Sequence, residues 1–180
     1  MQERKDAFLG AAELALKGRE LVLSRGTPAS RVTVGIVRVR PGVANIVPAE
    51  AHLTYELREQ SREILGQLAG ASHALAADIA RSRGLEVTLE TILDIEPVPM
   101  SSLVMEAVTR AAGVLGLESL RIPAMAGHDA QVVGRAAPAG MIFVPSKDGR
   151  SHSPLESTSD EDIERGANVL LHTLLTLAAA

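Results

Sequence analysis

Glu50-Ala51-His52-Leu53-Thr54-Tyr55-Glu56-Leu57-Arg58 decides how the first half of the chain folds. Ala51, Leu53, Tyr55 and Leu57 fall on one side of an extended segment, and Glu50, His52, Thr54, Glu56 and Arg58 fall on the other. That two-residue period is the pattern of a strand with one packed and one open face. Upstream, Val32, Val34 and Ile36 alternate in the same way, and the alternation moves to Val37 and Val39 past Gly35. This predicts a second strand with a bulge, ended by Pro41-Gly42 and joined to the first through Val43 to Pro48. Downstream, Ile64, Leu68, Leu75 and Ile79 line one stripe of a helix over Ser61–Arg83, and Gly84 closes it. Val87, Leu89, Thr91, Leu93 and Ile95 then alternate as a further strand. Towards the start, Leu9, Ala12, Leu16 and Leu23 recur at helical spacing until Arg25-Gly26-Thr27-Pro28 stops the helix. The order α, β, β, α, β is the split βαβ pattern of a ferredoxin-like layer that lacks its first strand.

Pro97 and Pro99 break the chain, and the sequence beyond them alternates less. The boundary separates residues 1–97 from 98–180. Ser101 or Ser102 can cap a helix carrying Val104, Ala107, Val108, Ala111 and Leu115, and Leu120–Pro123 reads as a short strand. Met141-Ile142-Phe143-Val144 is continuously apolar, as strands covered on both faces tend to be. Thr158 with Glu161 forms a capping box for a last helix whose Ile163, Ala167, Leu170, Leu171, Leu174 and Leu177 make a wide apolar face. The fold class is α/β, with an α+β first part.

Composition removes several functions. With 46% hydrophobic residues in 180, the chain can bury a core and is not disordered. Phe8, Tyr55 and Phe143 are the only aromatic residues, too few for a base-stacking surface, and a net charge of −4 offers no general attraction for phosphate backbones. No nucleic-acid partner is expected. The absence of cysteine removes disulfides, thiolate zinc sites and thiol nucleophiles, so any metal must be held by His and carboxylates. The charged, amphipathic start is not a signal peptide, and no apolar run reaches the ~18 residues of a membrane span. A cytoplasmic protein without membrane contact is the expectation.

Two segments set ligand-capable groups among glycines and small residues beside strands: Ala126-Gly127-His128-Asp129-Ala130-Gln131 and Ser151-His152-Ser153-Pro154-Leu155-Glu156. His152 follows the apolar strand across a short loop and should lie near that strand's C-terminal end, the usual location of sites in open sheets. Neutral imidazole ligates zinc and similar metals, and Glu156 is placed to act as an outer-shell carboxylate. From residues alone, His128 and His152 are equally well capping or loop histidines. Asn45 can be a turn residue and Arg58 a surface cation. His52, on a polar strand face, and His73 and His172, within helices, read as structural or solvated.

In order along the chain, Arg4-Lys5-Asp6-Ala7, Val34-Gly35, Arg40-Pro41-Gly42 with Asn45-Ile46-Val47-Pro48, Leu57-Arg58-Glu59, Gly127-His128-Asp129-Ala130, Met141-Ile142-Phe143-Val144-Pro145-Ser146 and Ser151-His152-Ser153-Pro154-Leu155-Glu156 resemble the carbamoylase branch of the M20 metallohydrolases. That branch includes N-carbamoyl-L-amino acid hydrolases, allantoate amidohydrolases and β-ureidopropionases. The resemblance implies that residues 1–97 form a ferredoxin-like lid that also makes a homodimer, and that 98–180 are the C-terminal part of the metal-binding catalytic domain. It implies substrate contacts at Asn45, Arg58, Gly127 and His128, with Arg58 gripping a carboxylate and both lid residues acting in the partner's active site. It further implies His152 as ligand to one of two divalent ions, Zn²⁺ or Mn²⁺, or else Co²⁺ or Ni²⁺, and Gln131 as a neighbour of the pocket. The implied substrate is a small carboxylate bearing a ureido or carbamoyl group.

The chain also departs from the family. The remaining metal ligands and the general-base Glu of relatives have no match in it, and the family's lid motif, His-Ala-Gly leading to Pro-Met, would run directly into Met1. The chain is thus expected to be a C-terminal fragment, starting at an internal methionine and inactive alone. Where relatives read Ser-Gly-Ala-Gly-His-Asp, this chain has Ala124-Met125-Ala126-Gly127-His128-Asp129. Two alternatives stand beside the amidohydrolase reading: a non-catalytic module for dimerisation or complementation, and an M20 peptidase or aminoacylase.

Overall fold

In the computed structural model, which describes residues 3–179, strand pairing follows the alternation. Residues 1, 2 and 180, at the outer ends of the two expected domains, lie outside the described residues. β1 (Arg31–Thr33) pairs antiparallel with β4 (Glu56–Arg58), and β2 (Val37–Arg40) with β3 (Glu50–Leu53). Between the rungs Thr33↔Glu56 and Val37↔Leu53, residues 34–36 of one strand face only 54–55 of the other. The two ladders are therefore one hairpin interrupted by a bulge at Gly35, where the sequence predicts it. Thr54 Oγ1 accepts from the Ile36 N–H at 3.1 Å, and the Thr54 N–H donates to Ile36 O at 3.0 Å, which holds the bulge closed.

Two helices cover the apolar face of this hairpin. α2 (Arg62–Arg83) starts at Ser61, whose side chain accepts from Ile64 N–H, and ends at Gly84 in the left-handed conformation (φ 62°). The Leu85 N–H then bonds Ala80 O at 2.8 Å, completing a Schellman-type stop. Its stripe is buried as predicted at Leu68 and Ile79, joined by Ser72, Ala76 and Ala80. α1 (Ala7–Arg25), capped by the Asp6 side chain, forms where the leucine spacing predicts a helix. Its buried residues are Gly10, Gly18 and Val22, whereas Leu9, Leu16 and Leu23 are 47%, 68% and 68% exposed. Close approach explains why the glycines face inward. A Cβ at Gly18 would collide with the Tyr55 ring, 2.7 Å from Cε2, and one at Gly10 would lie 2.7 Å from Leu85 Cδ1. Tyr55 fills that space, and its hydroxyl meets Ser72 Oγ at 3.3 Å.

The strand expected at Val87–Ile95 does not form; the segment is extended and exposed, with Leu93 74% and Ile92 76% accessible. Alternation gives a segment two faces, but a ladder also needs a neighbour's N–H and C=O groups, and no described strand runs beside it. The segment is tied instead to α2 through Asp94, which takes both guanidinium nitrogens of Arg62.

The contacts of the chain fall into two compact units, Met1–Pro97 and Val98–Ala180. In the second, α3 (Ser102–Val114) packs on α5 (Asp160–Ala178) around Ala111, Ala112 and Val169, with Val108, Leu115, Leu117 and Ile142 against them. Between them in sequence lie the five-residue α4 (Asp129–Val133) and a single 3₁₀ turn at Lys147–Gly149. The expected strands at Leu120–Pro123 and Met141–Val144 are not formed, again with no described strand beside them. One side of 141–144 is nonetheless fitted to the helices: Gly140 lies against Val104 and Gly166 of α5 against Val144. The cap of α5 falls one residue later than Thr158. Ser159 accepts from the Asp162 N–H at 3.1 Å, and Glu161 pairs with Arg165 instead. Among the described residues no helix is long and apolar enough to cross a membrane.

Candidate functional site

The two glycine- and serine-flanked histidine segments meet in the second unit. His128 immediately precedes α4, and its ring stands edge-on to Phe143, with centroids 5.6 Å apart at 70°. Phe143 belongs to the apolar run 141–144, so the run that forms no ladder still supplies the wall on which His128 rests. His152 follows the 3₁₀ turn. His128, Phe143, Arg150, His152 and Glu156 line one open cleft of about 370 Å³, together with Ile122, Pro123 and Val144. Gly127 borders His128 in open space, since a Cβ added there would meet nothing within 4 Å.

His152 has φ of 54°, a left-handed conformation that costs a residue with a Cβ about 1–2 kcal/mol. The loop holds it there: Glu156 Oε2 accepts from the His152 N–H at 2.8 Å, and the Glu156 N–H donates to Ser153 O at 2.9 Å. Glu156 therefore acts on the backbone of His152, not as an outer-shell partner of its imidazole. The imidazole is left exposed at the cleft.

This donor set does not make a metal centre by itself. A catalytic zinc takes three protein ligands, and among the described residues no three His, Cys, Asp or Glu side chains gather where they could hold one ion. The exposed imidazole of His152 fits as one ligand of a centre completed by other residues.

Asn45 and Arg58 belong to the first unit. Asn45 sits exposed in the turn closing the hairpin, where the Ile46 N–H bonds Val43 O. Arg58 is the last residue of β4, paired with Arg31 at the opposite end. From the Arg40↔Glu50 rung to the Arg31↔Arg58 rung the strand runs for about 25 Å at ~3.3 Å per residue. Asn45 and Arg58 therefore stand at opposite ends of the hairpin. Arg58 Nη2 donates to Glu56 Oε1 at 2.9 Å along the open face of the strand. Gln131, in α4, is half-buried and does not line the cleft.

Glu59, which enters the sequence reading only as the end of Leu57-Arg58-Glu59, has its side chain buried at 7% exposure. Thr27 Oγ1 donates to it at 2.8 Å, Ser30 Oγ also donates, and the N–H groups of Gln60 and Ser61 reach its other oxygen at 2.7 and 3.3 Å. Burial pushes its pKa up, but the hydroxyl and backbone hydrogen bonds prevail and hold it below the usual 4.5. A carboxyl with a lowered folded pKa stabilises the fold above its unfolded pKa and loses that contribution as pH falls through the folded value. The urea midpoint of the first unit is therefore expected to drop below about pH 4.5. Glu13 and Asp94 are lowered too, so the share due to Glu59 is read as the part of the drop missing in Glu59→Gln. An equal drop in the variant would overturn the assignment. Arg150, which lines the cleft and pairs with Asp148 at 3.6 Å, also escaped the reading of the sequence; its one signal is a cation two residues before His152.

A family model described as peptidase family M20/M25/M40 matches residues 7–176. The chain is 36% identical over 178 residues to the N-carbamoyl-L-amino acid amidohydrolase of Geobacillus stearothermophilus, covering 99% of this chain and 43% of that protein. It is 35% identical over 182 residues to the allantoate amidohydrolase of Bacillus subtilis, again covering 99% and 43%. Among solved structures, an amidase of the hydantoinase/carbamoylase family from Burkholderia multivorans matches with a TM-score of 0.91 and 37% identity, over 98% of this chain and 43% of that one. The chain thus spans less than half the length of the proteins it matches.

Proposed function

The chain belongs to the M20/M25/M40 peptidase family of hydrolases, and from that premise we propose that it carries part of a metal-dependent amidohydrolase for a small carboxylate bearing a carbamoyl or ureido group. The observation that carries the proposal is the cleft of the second unit, which gathers His128, Phe143, Arg150 and His152 from separate segments. His152 supplies one imidazole to a divalent metal, whose chemistry when bound is to polarise the scissile carbonyl. His128, braced by Phe143 and flanked by the open space at Gly127, binds the ureido or carbamoyl group from the side. The first unit serves as the lid, and Arg58 binds the substrate carboxylate through its planar pair of donors.

The lid also makes the homodimer. Leu9, Leu16 and Leu23 lie seven residues apart on the outward side of α1, the spacing of a helix–helix seam, and a second copy covers them. Because Asn45 and Arg58 stand at opposite ends of one hairpin, each active site takes Arg58 from one chain and Asn45 from the other.

The test replaces the matching part of the Bacillus subtilis allantoate amidohydrolase with this chain and assays allantoate and N-carbamoyl amino acids. Arg58→Ala and Asn45→Ala are each expected to abolish most activity. Mixing and reassociating the two variants should restore about a quarter of it, since half of the two-fold dimers then hold one intact site. No recovery, with dimers formed, would refute the shared site; a folded, dimeric chimera inactive on every substrate would refute the proposed function.

A further inference from the structure

Glu59 is a buried carboxylate held by two hydroxyls and two backbone N–H groups. Burying such a group is costly, and a corner needed only for stability is met more cheaply by apolar packing. Its position suggests what the cost secures. Thr27 and Ser30 belong to the turn that leads into β1, which begins at Arg31, and the N–H groups of Gln60 and Ser61 stand immediately before α2. Glu59 therefore ties together three points: the start of β1, the end of β4 and the start of α2. Arg58 lies at their junction, on the last rung of the hairpin.

The same corner disposes of Arg31. Directly opposed like charges repel across a strand pair, yet Arg31 Nη1 turns back to donate to Pro28 O at 2.6 Å and Ser30 O at 2.8 Å. With Arg31 drawn into the corner, Arg58 extends along the open face towards Glu56. Strand alternation points Glu59 inward and Arg58 outward.

We infer that Glu59 is a positioning residue: by locking the last rung and the corner that holds Arg31, it preorganises the Arg58 guanidinium for an anionic substrate group. The value of this for binding rests on the reading that Arg58 takes the substrate carboxylate; the positioning itself does not. A guanidinium held in place loses less freedom on binding than one that sweeps the surface, and releasing it should weaken carboxylate binding by about three- to tenfold.

The experiment uses the 180-residue chain labelled with ¹⁵N, with the Arg58 Nε–Hε signal assigned by its loss in Arg58→Lys. In the unaltered chain this signal is expected to show a heteronuclear NOE close to backbone values. In Glu59→Gln it should fall towards that of the exposed Arg81, while the amide signals of α2 stay in place. Thr27→Val, which removes one hydroxyl donor and leaves the carboxylate, should give a smaller change in the same direction and serves if Glu59→Gln does not fold. An unchanged Arg58 NOE in a folded variant would overturn the inference. Binding of N-carbamoylglycine to the chimera with the Bacillus subtilis amidohydrolase is the separate arm: affinity unchanged in Arg58→Ala there would sink the carboxylate reading and leave the positioning role standing.

Discussion

Leu68→Ala is expected to lower the stability of the first unit by about 3–5 kcal/mol, against the roughly 5–15 kcal/mol that a domain of this size possesses. Leu68 is 1% exposed and is the largest fully buried side chain among the described residues. The rest of the buried apolar set in its unit is Val22, Ala76, Ile79 and Ala80, with only two side chains of comparable size, so little bulk is available to collapse into the gap. Urea denaturation followed by helical signal should show the midpoint falling with an unchanged slope. Leu68→Met, which conserves volume, should cost under about 1.5 kcal/mol. Leu16→Ala provides the contrast, because at 68% exposure its effect in a monomer should lie within about 0.5 kcal/mol. A loss at Leu16 that grows with protein concentration would instead show a second copy covering α1. A Leu68→Ala cost below 1 kcal/mol would mean that the helix–hairpin core is not built around this residue.

Leu68 was legible because α2 states everything locally: a serine cap, a stripe with one buried side, and a glycine where the chain must turn left-handed. The bulge at Gly35 was legible for a similar reason, since a bulge shifts alternation by one residue and Val37 and Val39 record the shift. In α1 the leucine spacing marks a helix, which forms at Ala7–Arg25, but leaves its buried side open. Spacing reveals an apolar stripe but not whether a neighbouring element or a second molecule covers it, and what fixed the inward side was the room that Gly18 leaves for Tyr55. The segments 87–95, 120–123 and 141–144 failed as strands because a strand is a property of a pair, and its partner is not written in its own residues.

The site divides along the same line. His128 and His152 stood out because loops present chemistry on a scaffold, and the structure does set them around one cleft. The contacts that govern them were invisible: Phe143 against His128 and the Glu156 carboxylate on the His152 N–H depend on how loops return in space. Glu59 was hidden for the opposite reason, as an ordinary acid after a strand whose meaning comes from Thr27 and Ser30, some thirty residues earlier.

Given Zn²⁺ or Mn²⁺ and a saturating N-carbamoyl amino acid, the 180-residue chain alone is expected to release product no faster than buffer. Enzymatic hydrolysis requires accelerations of roughly 10⁶-fold or more, about 8 kcal/mol off the barrier. If His128 served as a general base, that would contribute about 10²–10⁴-fold at best, and Arg58 contributes binding without bond cleavage. On the proposed reading the difference comes from a metal that polarises the carbonyl and activates water; a catalytic metal takes about three protein ligands, and no three such side chains gather among the described residues. Metal analysis after desalting should accordingly find well under one ion per chain. If His152 is a metal ligand as proposed, His152→Ala in the chimera is expected to cost about 10³-fold or more in kcat, by analogy with the loss of other essential catalytic groups. Turnover by the isolated chain, with bound metal that disappears in His152→Ala, would overturn the incomplete-centre reading while leaving the family assignment intact.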